Sequence, residues 1–88
     1  MVIDAEQFRE WLQENTSYSD AVIGDTVSRI KRADGILEWS DEEIYLFHLE
    51  HDDRYKGLSV SVRSQIKKAV TLYRAYRATA TLNGTQDG

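Results

Sequence analysis

The sequence predicts an all-α fold, a compact bundle of four to five helices. Three observations carry that prediction. Proline is absent from all 88 residues, so no pyrrolidine ring interrupts a helix interior. Apolar residues recur at three- and four-residue spacings along most of the chain, the period of a helix with one buried face. Residues suited to helix starts, Asp4, Ser19 and Ser40, stand just before those periodic stretches.

The first helix is expected from Asp4, as N-cap, to about Asn15, with Phe8, Trp11 and Leu12 as its inner stripe. Asn15-Thr16-Ser17 breaks it. The second is expected from near Ser19 to about Asp34, with Ile23, Val27, Ile30 and Ala33 on one side. Gly24 suggests a close backbone approach, and Gly35 suits the left-handed position that ends a helix. Ile36, Leu37 and Trp39 then form a short apolar connector, with room for a brief fifth turn, that folds back onto the core.

Ser40-Asp41-Glu42-Glu43 reads as a capping box. It predicts a third helix over about Asp41–Asp52 that turns Ile44, Phe47 and one of His48 or His51 inward. Arg54-Tyr55-Lys56-Gly57 is expected to be a turn. The last helix is expected from Ser59 or Ser61 to about Thr79, where Val62, Ile66, Ala69, Tyr73 and Tyr76 make the longest stripe in the chain. Residues 1–82 are thus one domain, and 83–88, with no large apolar side chain, a flexible C-terminal tail.

Composition narrows the function. A chain of this size buries only about 60–65% of its unfolded surface, so its nine aromatics must serve the core first. Trp11, Trp39, Tyr73 and Tyr76 lie at core spacing, although such rings could also stack on bases. With no cysteine, disulfides, thiolate nucleophiles and thiolate metal ligands are excluded. Met1 to Phe8 has no basic, apolar leader pattern, and no run approaches the roughly 20 apolar residues of a membrane span. The expected compartment is the cytoplasm, with no membrane partner.

No catalytic constellation is legible. There is no Gly-rich phosphate loop and no serine in a nucleophile elbow. Glu42, Glu43, Asp52 and Asp53 sit at opposite ends of the expected third helix and read as caps and solvated ends. His48 and His51, three apart beside Glu50, Asp52 and Asp53, could be imagined as metal ligands, but that spacing is common by chance. The reading is therefore of a non-enzyme with no metal and no cofactor.

Charge is the informative feature. Residues 1–53 carry 14 acidic and 4 basic side chains, a balance of −10, and residues 54–88 carry 7 basic and one acidic, a balance of +6; together these return the net charge of −4. Such polarity suits a charged partner better than the net value suggests. On the last helix, steps of about 100° per residue bring Arg63, Lys67, Arg74 and Arg77 within about 80° of arc. That row could follow a phosphate backbone, or simply be a solvated face that pairs with the acidic half. Lys68 lies off the row; Arg54 and Lys56, just before the helix, could extend it.

Phe8-Arg9-Glu10-Trp11-Leu12, followed by Tyr18-Ser19 and by Val27-Ser28-Arg29-Ile30-Lys31-Arg32, resembles the first two helices of the N-terminal core-binding domain of tyrosine recombinases, the phage integrases. The closing stretch from Leu58 to Tyr76 resembles the last helix of that domain. The resemblance covers about residues 6–78 and rests on loose helical motifs. It implies a four- or five-helix bundle of the type called SAM-like, which clamps one face of a DNA duplex largely through its backbone. It further implies Arg63, Lys67 and Arg74 as phosphate contacts on the last helix, with Arg29, Lys31 and Arg32 on the second, in a mobile-element setting. The family's catalytic part carries an Arg, a His-x-x-Arg pair and a nucleophilic Tyr. His51-Asp52-Asp53-Arg54 has the His-x-x-Arg spacing but falls inside the stretch that resembles the binding domain. The expected function is a non-catalytic DNA-binding module. The alternative is a small protein-interaction or accessory factor, of a phage or mobile element, that acts through its acidic N-terminal half.

Overall fold

A computed structural model describes residues 3–87, with side chains described through residue 79. Among the described residues the chain is all-helical: α1 (Ala5–Asn15), α2 (Asp20–Ile36), α3 (Tyr45–Glu50), α4 (Asp53–Lys56) and α5 (Val60–Asp87). α5 runs on to Asp87, past the end expected near Thr79 and into the stretch expected as a tail at 83–88; the side chains of 80–88 are outside the described residues. No helix among the described residues is long and apolar enough to cross a membrane.

The long helices form where the stripes predict them. α5 packs chiefly on α2, and α1 lies against both. Phe8 and Leu12 of α1, Ile23, Val27, Ile30 and Ala33 of α2, and Ile66, Ala69, Val70, Tyr73 and Tyr76 of α5 make one buried core. Each large apolar side chain so buried contributes roughly 1.5–3 kcal/mol. Trp11 is only partly buried at its rim. Ser19 caps α2 by accepting from the Val22 N–H at 3.3 Å, and Ser59 does the same for α5 with the Val62 N–H at 3.2 Å.

Tyr73 is the hub of the aromatic core. Phe8 and Trp39 both meet its ring edge-to-face, at centroid distances of 4.9 and 4.8 Å, a geometry that adds about 0.5–1.5 kcal/mol per pair beyond area burial. Trp39 also packs on Tyr45 at 4.7 Å. The connector does fold back, as its apolar run predicts: Trp39 is 4% exposed. Its backbone N–H donates to Asp34 Oδ1 at 2.7 Å and its indole N–H to Asp41 Oδ1 at 2.9 Å.

Several local expectations are corrected. Asp4 precedes α1, but its carboxylate makes no capping bond; it accepts from the Tyr76 hydroxyl at 3.0 Å while the Asp4 N–H donates to Tyr73 Oη at 3.1 Å. The distant Tyr76 hydroxyl claims the carboxylate that would have capped the helix. α2 runs through Gly35 to Ile36, and among the described residues no glycine has a positive φ, so Gly35 is not a left-handed stop. A Cβ at Gly24 would meet nothing within 4 Å, so no backbone approaches there. Ile36 and Trp39 form no turn of their own; the short extra helix is α4, where a plain turn was expected.

The capping box does not form. Ser40 Oγ accepts from the Glu42 N–H at 3.2 Å, and the third helix begins only at Tyr45, giving six residues instead of twelve. Its phase differs too. Tyr45 and Leu49 are buried, whereas Ile44, Phe47, His48 and His51 are exposed. The Tyr45 hydroxyl donates to the Leu37 carbonyl at 2.8 Å. Together with the Trp39 contact, that bond holds Tyr45 inward and turns Ile44 and Phe47 out.

Candidate nucleic-acid interface

The cations of α5 lie closer to the core than their spacing implies. Val70, at about −20° on the wheel that places Arg63 at zero, falls inside their arc and is 1% exposed. Arg63, Arg74 and Arg77 are accordingly half-buried, and only Lys67 of the four is exposed. The row is a seam and not a solvated flank. It runs along the edge where α5 meets the segment 41–57, for three residue pairs bridge it there. Arg77 donates to both Asp41 oxygens at 3.0 and 2.9 Å. Lys67 Nζ lies 3.8 Å from Glu50. The Tyr55 hydroxyl donates to the Arg63 carbonyl at 2.9 Å.

These pairings split the sequence-derived candidates. Arg77 is held by the forked Asp41 contact, and its guanidinium holds the Asp41 carboxyl below the usual carboxylate range. Arg54 bonds Asp52 Oδ1 through Nε at 3.3 Å and reaches the Ile36 carbonyl through Nη2. The Arg54 contacts likewise lower the Asp52 carboxyl. Lys68 stands apart from the row, its ammonium 5.4 Å from the centre of the Tyr18 ring. Lys56 is exposed on α4; on α2, Lys31 and Arg32 are exposed and Arg29 is half-buried.

Arg63 and Arg74 are the unsatisfied members. Arg63 Nε and Arg74 Nη2 are each buried and without a hydrogen-bond partner, as is the Trp11 indole nitrogen. Among the described residues neither arginine has an ion pair. A buried donor left unpaired is costly, about 1–3 kcal/mol and more for a charged group, and nothing in the described chain offsets that cost at these two atoms. Arg63 also lines a shallow open depression of about 270 Å³ with Glu50, Tyr55, Val60, Ser64 and Lys67.

The other candidates find different uses. The rings of Trp39, Tyr73 and Tyr76 are buried in packing, in line with their core spacing. Among the described residues no group of three His, Asp or Glu side chains is arranged to hold a metal. His51 Nδ1 donates to the Phe47 carbonyl at 2.8 Å. Sequence reasoning missed the exposed pair Ile44 and Phe47, 48% and 57% accessible. The signal was present in Tyr45 and Leu49, an i, i+4 pair that competes for the inner face.

The chain matches no protein-family model, no curated protein and no solved structure.

Proposed function

We propose that this domain is a non-catalytic module that binds the phosphate backbone of duplex DNA through Arg63, Lys67 and Arg74, with little reading of base sequence. The observation that carries the proposal is that the half-buried Arg63 and Arg74 of α5 have no ion pair among the described residues, with one buried guanidinium nitrogen of each lacking a partner. Eleven residues of helix separate them by about 16 Å, enough to reach phosphates on both sides of a groove about 12 Å wide. Arg77 and Arg54 are not part of this contact, because carboxylates of the chain hold them at 2.9 and 3.3 Å; the Lys67 ammonium, exposed and 3.8 Å from Glu50, is the loosest of these pairs and can turn to a phosphate. Those ion pairs also neutralise Asp41 and Asp52 beside the row, which lowers the repulsion an approaching phosphate meets. Lys31 and Arg32 on α2 serve as outlying cations. A mobile-element context rests on the recombinase resemblance alone.

The test is fluorescence anisotropy of a short duplex at two salt concentrations. Three phosphate contacts imply a slope of log K against log salt of about −2.7, so affinity falls about 40-fold between roughly 50 and 200 mM salt. Arg63→Gln and Lys67→Gln each lower that slope by about one, and Arg77→Gln leaves it unchanged. Absence of binding at the lower salt, or a slope indifferent to Arg63→Gln and Lys67→Gln, overturns the proposal.

A further inference from the structure

Ile44, Phe47 and His51 fall on one face of the α3 turn, within about 60° of arc at 100° per residue. The helix presents this face outward, since Tyr45 and Leu49 occupy the opposite one. Phe47 is 57% and Ile44 48% exposed. The ledge is ordered in advance: the His51 ring lies 4.3 Å from the Phe47 ring, fixed by its bond to the Phe47 carbonyl.

Its surroundings are acidic. No lysine or arginine occurs between Arg32 and Arg54, and eight carboxylates do. Asp41, Asp52 and Glu50 are paired with Arg77, Arg54 and Lys67. Glu42 and Glu43 just before α3 and Asp53 just after it are exposed and, among the described residues, have no ion pair. An apolar centre with unpaired charges of one sign at its ends is the arrangement of a binding face with a polar rim.

We infer that the Ile44–Phe47–His51 ledge docks a basic amphipathic helix of a protein partner. Apolar side chains of that helix, at three- and four-residue spacing, cover Phe47 and Ile44. Its lysines or arginines meet Glu42, Glu43 and Asp53. The carboxylate rim selects this occupant over DNA, which it repels, and over an acidic peptide. The surface is separate from the α5 seam, so the inference does not rest on the DNA-binding proposal.

A synthetic amphipathic helix of leucine and lysine, titrated into the isotope-labelled chain and followed by amide chemical shifts, tests the inference. Saturable shifts confined to residues 42–53 are expected, and a leucine–glutamate helix gives none. Phe47→Ala weakens binding by about tenfold or more, as for a central anchor, and Glu42→Lys with Glu43→Lys weakens it as well. Both variants change only exposed side chains and keep the native helical spectrum. Shifts scattered over the whole surface, or an affinity unchanged by Phe47→Ala, overturn the inference. Self-association of the unliganded chain that Phe47→Ala abolishes also overturns it, because the occupant is then a second copy.

Discussion

The chain has two phenylalanines, and they meet opposite fates. Phe8 is fully buried on α1, enclosed by Trp11, Tyr73 and Tyr76. Phe47 is 57% exposed on α3, with the rings of His48 and His51 beside its own. The two helices differ in what sets their phase. α1 is eleven residues long and buries Phe8 and Leu12 against two other helices. α3 has six residues, and its phase is decided outside itself, by Tyr45 reaching back to the Leu37 carbonyl and to the Trp39 ring. A long helix announces its buried face through many residues. A two-turn helix takes the face that its neighbours leave to it.

The largest effect expected from this contrast is at Phe8. Phe8→Ala removes the ring that joins Trp11, Tyr73 and Tyr76 and should cost about 3–5 kcal/mol. That is a large share of the roughly 5–15 kcal/mol available to a small domain. Urea unfolding followed by circular dichroism measures it. A loss below about 1 kcal/mol would mean that the aromatic cluster collapses around the gap and that α1 does not depend on it.

Alkaline pH probes both regions together. Burial raises the Tyr45, Tyr55, Tyr73 and Tyr76 hydroxyls above their ordinary value. Tyr76 is pushed up to about 12, first by burial and then by its bond to the Asp4 carboxylate. A phenol with a raised folded-state pKa adds stability that is complete below its unfolded value of about 10. That stability is lost as pH climbs toward the folded value, since the unfolded chain then releases protons more readily. The domain should therefore keep its helix content to about pH 10 and lose it steeply above, with tyrosinate absorbance rising in the same transition. Tyrosinate formation at ordinary pH while the helices persist would show that these hydroxyls are not held as Asp4, Leu37 and Arg63 hold them.

The same contrast explains what the sequence disclosed. The stripes of α2 and α5 are long enough to average out single exceptions, so Ile23, Ile30, Ile66 and Tyr73 are all found inside. The bonds from Tyr73 and Tyr76 to Asp4 span about seventy positions and leave no local trace, which is why Asp4 reads as a cap. The cation row is legible as a row, but its half-burial is not, because Val70 shares its arc. Nor is its pairing with Asp41 and Glu50, which depends on where the segment after α2 returns. The capping box fails for a similar reason: Asp41 is drawn to Arg77 and the Trp39 indole, which leaves Ser40 to close only a tight local turn.

The smallest effect belongs to the second phenylalanine. Phe47→Ala should change folding stability by less than about 0.5 kcal/mol, as surface substitutions away from caps and cavities do. Alanine's stronger helix preference offsets part of what the ring contributes against His51. Denaturant unfolding of this variant beside Phe8→Ala puts both aromatics on one scale. A cost near that of Phe8→Ala would mean that Phe47 is covered in the folded chain and that the ledge on α3 does not exist. A negligible cost leaves an ordered, exposed aromatic ring that folding does not require, which is the pattern expected of a residue kept for contact with another molecule.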